Sequence, residues 1–412
     1  MLAQGFQGSP APTLGVEIEL QLVDAGTLEL RGVEVQALAE GLPPGIAGSV
    51  RREFHACCVE VATGICRDVD EVRRDLKEKL RWVAGAAAAR GLMLAWAGTH
   101  PFSHWKGQAV TDDPRYRALA ESYRETLLRQ LTFGLHVHVG VGSGDAAIRA
   151  CDRIREFLPV LLALSANSPF WCGRATGLQS HRMEVMGSLP AAGIPPYLGT
   201  WDAFEALVGH LTASGLIGSA KDLWWDVRPS PSHGTVEVRI CDMPLGLDAV
   251  LGLTALIQCL VHTLARGGSC RGDGEARPGG EDEIRRARDL EHLTAATLQQ
   301  DRWLAARHGL DAMLVNPRTA ERTGARALAR ELIDGLMPVA EELGGAEHLT
   351  RLRAKTRGAN GATAQLNAFA RTGSLLEVVR LTARADSSGH WHPSLSPLLG
   401  VQGLLDHTGA SL

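Results

Sequence analysis

Alternating apolar and polar residues mark three short segments of the chain as strands with two unlike faces. The aliphatic positions are Leu14, Val16, Ile18, Leu20 and Leu22 in residues 13–23, Leu135, Val137, Val139 and Val141 in residues 133–141, and Val236, Val238 and Ile240 in residues 235–240. Successive side chains of a strand point to opposite faces, so each segment is expected to bury its aliphatic face under helices.

The opposite faces of these strands carry chemistry instead of a scatter of solvated side chains. They present a Glu-x-Glu pair, a His-x-His pair and a Glu-x-Arg pair, namely Glu17 and Glu19, His136 and His138, and Glu237 and Arg239. Each pair alone has a plain structural explanation. The solvent-exposed face of an edge strand would explain the glutamates, and hydrogen-bonded core residues would explain the histidines. Their recurrence favours ligand or phosphate contacts. Carboxylate oxygens with few thiolates suit Mg²⁺ or Mn²⁺.

Two further segments supply candidates. Glu60 lies in the apolar run CCVEVA, where an unpaired charge is costly, so a role at the site is expected for it. Glu53 is seven residues away, which gives it the opposite strand parity, and it is expected to face solvent. Residues 221–239 gather Arg228 and the segment RPSPSHG, which we interpret as a phosphate- or carboxylate-binding loop.

Apolar residues spaced three and four apart predict the helices. One begins at Asp68 and stops at Gly91, and others are expected over residues 145–166, 201–214, 247–265, 283–308 and 319–343. Gly and charged residues over 267–282 predict a mobile loop, residues 283–384 a mainly helical part, and residues 387–412 an irregular tail. We interpret residues 1–412 as a single catalytic domain.

Composition narrows the function classes. Among 412 residues, 42 Lys and Arg stand against 46 Asp and Glu, and this formal charge of -4 argues against nucleic-acid and anionic-membrane partners. No membrane-spanning helix or secretory signal is expected, which makes the cytoplasm the expected location. The eight cysteines form no CxxC pair and are expected to be reduced and mostly buried. P-loop, HExxH and GxSxG motifs do not occur in the sequence.

Six ordered blocks of the sequence resemble one known family. TLGVEIELQLV, VEVATGICRDV, AGTHPF, FGLHVHVGVGSGDAAI, KDLWWDVRPSPSHGTVEVRICDMPL and RWLAARHGLDA are similar, in this order, to blocks of the YbdK-like carboxylate-amine ligases of the glutamate-cysteine ligase type 2 family. The resemblance spans roughly residues 13–380. It implies an α+β fold of the glutamine synthetase type, in which a curved, mainly antiparallel sheet forms an active-site cradle with helices packed behind it.

The resemblance also implies a reaction and its residues. ATP would phosphorylate a small carboxylic acid, and an amine would displace phosphate to form an amide, with weak glutamate-cysteine ligase activity among the options. The implied metal set for Mg²⁺ or Mn²⁺ is Glu17, Glu19, Glu60, His136 and Glu237, with His138 assisting. Arg228 and Arg239 are implied to stabilise phosphate or acyl phosphate. Asp301 and Arg302 of the late helix are implied to contact the nucleotide, and a homodimer stays open.

Two departures from the family pattern keep alternatives in view. Ala56 stands where members often have an acid, and Asp301 where they have Asn, so a nucleotide-binding sensor without turnover is one alternative. A metal-dependent hydrolase of the amidohydrolase type is the other, because His-x-His on a strand also opens such sites. The later Glu-x-Arg strand argues against the hydrolase. The two departures leave the Glu-x-Glu, His-x-His and Glu-x-Arg pairs in place, which favours an active ligase over the sensor.

Overall fold

The strands alternate with helices through the first two thirds of the chain. The computed structural model describes residues 5–9, 12–267, 281–317 and 319–384. Its strands are β1 (Leu14–Asp24), β2 (Val50–Arg52), β3 (Cys58–Ala62), β4 (Leu92–Ala95), β5 (Leu135–Gly140), β6 (Phe170–Trp171), β7 (Arg174–Ala175), β8 (Ala192–Gly193), β9 (Trp224–Trp225), β10 (Val227–Ser230), β11 (Thr235–Val238), β12 (Met313–Val315) and β13 (Arg322–Gly324).

The helices dominate the last third. They are α1 (Val35–Ala39), α2 (Pro44–Ala47), α3 (Val69–Ala88), α4 (Pro114–Tyr123), α5 (Glu125–Leu128), α6 (Gly144–Ile154), α7 (Leu158–Ser165), α8 (Arg182–Met186), α9 (Trp201–Ala213), α10 (Leu247–Ala265), α11 (Glu281–His308), α12 (Ala325–Glu342), α13 (Ala346–Lys355), α14 (Gly361–Thr372) and α15 (Leu375–Ala383).

Seven strands form one antiparallel sheet in the order β10-β11-β5-β1-β3-β2, with β4 paired to the end of β1. The predicted alternation on β1 is confirmed, because Leu14, Val16, Ile18, Leu20 and Leu22 are all at most 1% exposed. The three predicted strands correspond to β1, β5 and β11. An antiparallel sheet with helices packed on its aliphatic face agrees with the α+β class that the family resemblance implies.

Helices α3, α6 and α10 cover the aliphatic face of this sheet. The central one, α10, is long and apolar enough to cross a membrane by length and composition alone, the one such helix among the described residues. Most of α10 is instead buried inside the fold, where it contacts β5 and helices on the other side. Its apolar sequence is thus explained by its position in the core.

Most predicted helices are present, and two differ in their limits. The helix predicted over 145–166 is broken into α6 and α7 near Pro159, since proline has no N–H to donate to the preceding turn. The helix predicted from 319 begins at Ala325, because Arg322–Gly324 pairs as β13 with β12. Residues 281 and 282, assigned to the mobile loop, already belong to α11. The rest of that loop, apart from Gly267, and the tail lie outside the described residues.

All seven cysteines that the structure describes are free, and six of them are buried. The prediction of reduced thiols in the interior is confirmed for these residues. Burial raises the pKa of the Cys57 thiol to about 12, which leaves it protonated near neutral pH. The adjacent Cys57 and Cys58 therefore behave as core residues.

A close approach of α10 to α13 gives a test of this packing. A Cβ added at Gly252 would lie 2.9 Å from the Cβ of Leu352, whereas a Cβ at Gly209 in α9 would meet nothing within 4 Å. We expect Gly252→Ala to lower the free energy of unfolding by about 1–3 kcal/mol through overpacking. Gly209→Ala should raise it by about 0.5–1 kcal/mol, because alanine loses less backbone entropy.

Urea denaturation of the two variants measures both effects on the same scale. If Gly252→Ala proved as stabilising as Gly209→Ala, the contact between α10 and α13 would be looser than described.

Candidate active site

The antiparallel register brings the predicted polar pairs to one face of the sheet. Glu19 lies opposite Glu60 across β1 and β3, Glu17 lies opposite His136 across β1 and β5, and His138 lies opposite Glu237 across β5 and β11. Side chains directly opposite each other have Cβ atoms about 4.5–5.5 Å apart. The register therefore forms a continuous row of carboxylates and imidazoles across four strands.

Three groups of side chains in this row can each hold a metal ion. In each group the ligand atoms lie within 4.8 Å of one another, and the groups are Glu17, His138 and Glu237; Glu17, Glu60 and His136; and Glu19, Glu53 and Glu60. Glu17 and Glu60 each belong to two groups. The three positions are therefore adjacent parts of one acidic centre.

Glu53 belongs to this centre, so the expectation that it faces solvent is wrong. Arg51 on β2 lies opposite Glu60 on β3, and the chain reverses between them. Side chains alternate between faces only within one strand, so counting residues across the hairpin from β2 to β3 does not give their faces. Glu53, just past the end of β2, falls on the same face as Glu60. Burial and then the charge of Glu19 raise the pKa of Glu53 to about 7.

Negative charge is concentrated at this end of the row. Burial raises the pKa of Glu60 well above its ordinary value, and repulsion by Glu53, Glu17 and Glu19 raises it further. Arg51 partly offsets the charge, because its Nη1 donates to Glu17 Oε1 at 2.8 Å and to Glu60 Oε1 at 3.2 Å. The Arg51 side chain is 53% exposed and belongs to the strand at the edge of the sheet.

The two histidines offer nitrogen atoms to the carboxylates. His136 Nε2 is buried without a hydrogen bond, 3.7 Å from Glu19 Oε1. Burial and then the charge of Arg239 lower the pKa of His136, which favours the neutral imidazole that a metal requires. His138 Nδ1 is hydrogen-bonded to Thr235 Oγ1 at 2.9 Å, and this leaves Nε2 facing Glu17 at 3.8 Å and Glu237 at 4.0 Å.

Positive charge is concentrated at the other end of the row. Arg228 donates to both oxygens of Glu237 at 2.7 and 3.2 Å, and Arg239 also contacts Glu237. Although burial opposes ionisation, the charges of Arg239 and Arg228 hold the pKa of Glu237 well below its ordinary range. Glu237 is therefore ionised and fixed between two guanidinium groups.

Arg228 lies on a strand, so only residues 231–234 of the segment RPSPSHG form a loop, and ligand binding by this segment stays a prediction. Residues 227–230 form β10, and β10 and β11 are paired as a hairpin. Arg228 also donates to the backbone carbonyls of Lys221 and Leu223 at 2.8 and 2.9 Å. Its guanidinium is therefore anchored on protein groups beside Glu237.

Asp301 and Arg302 are not brought into the row. Asp301 accepts a hydrogen bond from the backbone N–H of Val315 at 2.9 Å and borders a separate cavity of about 220 Å³ between helices. Arg302 pairs with Asp226 at 2.7 and 3.3 Å in the interior. Nucleotide contacts by these two residues stay a prediction.

Sequence reasoning missed Arg51 and excluded Glu53. The signal that could have found both is the short spacing between Arg52 and Cys58, which allows a hairpin that aligns odd positions of one strand with even positions of the next. Ala56 lies in this hairpin and packs next to Gly32, whose added Cβ would lie 3.1 Å from the Cβ of Ala56.

Known proteins resemble the chain over most of its length. The chain is 40% identical over 376 residues to a putative glutamate-cysteine ligase 2 of Gloeobacter violaceus, covering 91% of this chain and 96% of that protein. It is 34% identical over 388 residues to one of Solibacter usitatus, covering 94% and 96%.

Two solved structures share the fold at low sequence identity. A glutamate-cysteine ligase from Francisella tularensis in complex with AMP matches with a TM-score of 0.64 and 13% identity, covering 96% of this chain and 92% of that one. A bifunctional glutathione synthetase from Pasteurella multocida matches with a TM-score of 0.65 and 14% identity, covering 90% of this chain and 52% of that one.

The model of one protein family, described as glutamate-cysteine ligase family 2, matches residues 13–395. That match includes every member of the polar row and the helices that support it. This chain therefore belongs to glutamate-cysteine ligase family 2.

Proposed function

We propose that the protein is an ATP-dependent carbon-nitrogen ligase that joins a small, amino-acid-like carboxylic acid to an amine through an acyl phosphate. The observation that carries the proposal is the row itself, which is acidic at the end formed by Glu19, Glu53 and Glu60 and cationic at the end formed by Arg228 and Arg239. Family membership and a fold shared with a glutamate-cysteine ligase support it.

The acidic end fits divalent cations such as Mg²⁺. Its donors are carboxylate oxygens with an imidazole nitrogen, burial and then the neighbouring carboxylates raise the pKa of Glu60, and His136 Nε2 is buried without a hydrogen bond. The residues that would hold metal are Glu17, Glu19, Glu53, Glu60, His136, His138 and Glu237. Bound metal would neutralise charge on the phosphates of ATP during transfer.

The cationic end fits the group being transferred. The Arg239 guanidinium is largely buried, contacts Glu237 and approaches His136 Nδ1 at 3.5 Å. A buried guanidinium beside a metal centre is suited to bind phosphate oxygens that lie between the two positive charges. Arg228 keeps Glu237 ionised and oriented, so its contribution is to order the site.

The two alternatives are less well supported. A hydrolase of the amidohydrolase type would not account for the Glu237 and Arg239 strand or for the family to which the chain belongs. The sensor without turnover was suggested by Ala56 and Asp301, and neither belongs to the three metal-binding groups. A cytoplasmic location and the absence of nucleic-acid and membrane partners remain part of the proposal.

The reaction is tested by incubating the protein with ATP, Mg²⁺ and a panel of carboxylic acids and amines. We expect ADP and phosphate to form in step with amide, and EDTA to abolish both, because acyl phosphate formation leaves ADP. Products are resolved by chromatography and mass spectrometry. Release of AMP and pyrophosphate would overturn the acyl phosphate mechanism.

Arg239→Lys separates the ligase from a hydrolase. Lysine keeps the charge and loses the two-pronged guanidinium, so we expect ATP binding to weaken modestly while amide formation falls ~100-fold or more. Nucleotide affinity and amide formation are measured on one preparation. Unchanged amide formation, or amide hydrolysis without ATP, would remove Arg239 from the proposed role.

Metal-free protein should lose stability as pH rises. The folded pKa of Glu53, about 7, exceeds the ordinary value of 4.5, so protonation of Glu53 stabilises the folded state. That stabilisation is complete below the ordinary value and is lost as pH rises through the folded value. In EDTA we expect the melting temperature to fall between about pH 5 and pH 8, and added Mg²⁺ to restore it.

Glu53→Gln should reduce this pH dependence, because glutamine mimics the protonated acid, and should leave the part that the raised pKa of Glu60 contributes. Glu121→Gln on the exposed face of α4 is the matched control and should leave it unchanged. A pH profile that is the same in wild type and Glu53→Gln would show that Glu53 is not the titrating group.

A further inference from the structure

Arg239 directly follows β11, and the chain forms a β-bulge there. Val227 and Val238 form a regular pair of β10 and β11, but beyond them the N–H groups of Arg239 and Ile240 both donate to the carbonyl of Asp226, at 2.8 and 3.1 Å. Two residues on one side thus oppose a single residue on the other. Such bulges bend a strand and fix the direction of a side chain, and they are frequent beside active sites.

A buried ion pair holds the residue that the bulge depends on. Arg302 Nε and Nη2 donate to the two carboxylate oxygens of Asp226 at 2.7 and 3.3 Å, and the two side chains are 10% and 4% exposed. The Asp226 N–H donates to the carbonyl of Gly193 at 2.8 Å. Arg302 therefore fixes, through the Asp226 side chain, the carbonyl that receives both N–H groups.

A second buried arginine holds the bulge from the other side. Arg182 on α8 donates to the carbonyls of Arg239 and Ile240 at 3.2 and 3.3 Å and is 2% exposed. A Cβ at position 134 would lie 2.4 Å from Arg182 Nη2, so Gly134 provides the space for that guanidinium. The N–H groups of Arg239 and Ile240 thus donate to a carbonyl held through Arg302, and their own carbonyls accept from Arg182.

We infer that Arg302 and Asp226 are positioning residues for Arg239, acting through the bulge, and that Arg302 does not bind the nucleotide. This rests on the proposed function for the role of Arg239 in phosphoryl transfer. The contact with Asp226 uses two donors of the Arg302 guanidinium in a planar, bidentate arrangement. This arrangement explains why the residue at this position is an arginine. Arg182 supports the same two backbone units from α8.

Removal of the pair should impair turnover more than nucleotide binding. In Arg302→Met we expect kcat to fall about 10- to 100-fold, because displacement of a catalytic group by about 1 Å has effects of this size. The Kd of a non-hydrolysable ATP analogue with Mg²⁺ should stay within about threefold of wild type. A loss of analogue affinity in proportion to the loss of activity would instead identify Arg302 as a nucleotide ligand and overturn the inference.

A double variant distinguishes position from charge. Asp226→Asn combined with Arg302→Gln replaces the ion pair by a neutral hydrogen-bonded pair. This double variant should recover most of the activity lost in Arg302→Met. It should also fold more readily, because Arg302→Met leaves a buried carboxylate unpaired. Arg326→Met is the matched control, since it removes another arginine that pairs with an aspartate, Asp311, and holds two backbone carbonyls, those of Thr356 and Gly358, none of which belongs to the metal-binding groups. Arg326→Met should keep wild-type kcat, and a double variant no more active than Arg302→Met would overturn the inference.

Amide hydrogen exchange tests the positioning role without measuring turnover. Its result therefore holds even if the protein does not catalyse the proposed ligase reaction. In Arg302→Met the amides of residues 239–240 should exchange at least about fivefold faster, while those of β5 keep their protection. If Arg302→Met does not fold, the same measurement is made on Asp226→Asn alone. Faster exchange throughout the sheet, or unchanged exchange at 239–240, would show that the pair does not hold the bulge. Loss of the ligase reaction in wild type would leave this result intact.

Discussion

The register of β1 against its two neighbours is the constraint on which the site depends. It sets Glu19 against Glu60 and Glu17 against His136. A shift by one residue would bury the acids in the core and place aliphatic side chains in the site. Because like charges directly opposite each other are destabilising, the acidic face cannot maintain this register by itself. The aliphatic face of β1, packed under α3 and the other core helices, maintains it.

The row is useful because its two ends are charged differently. At one end burial, and then repulsion between neighbouring carboxylates, raises the pKa values of Glu53 and Glu60. At the other end Glu237 is held by two arginines and its pKa is lowered. Under the proposed function, metal ions would lie at the acidic end and phosphate oxygens at the cationic end. Arg51, half exposed on the edge strand, is the arginine that pairs with Glu17 and Glu60 at the acidic end.

The sequence predicted those parts of the site that follow from alternation within one strand. Glu17, Glu19, His136, His138 and Glu237 all lie on the expected face, because parity is a local property of an extended chain. Glu53 was misplaced because its relation to Glu60 depends on where the hairpin turns. The bulge at Arg239 was not foreseen, since it depends on a backbone carbonyl whose position is set by Arg302, 76 residues along the chain from Asp226. Long-range contacts of this kind leave no periodic trace in the sequence.

The central position of β1 also bears on how the protein is made. Glu17 pairs with His136 and, through β5, shares a metal-binding group with Glu237, so the row joins segments separated by more than half of the chain. During synthesis the glutamates of β1 and β3 emerge from the ribosome long before the β11 strand, and domains generally complete folding only after their distant segments are available. Until β5 is available, the backbone edge of β1 that pairs with it is open, and charged side chains on such an edge strand disfavour pairing with other chains.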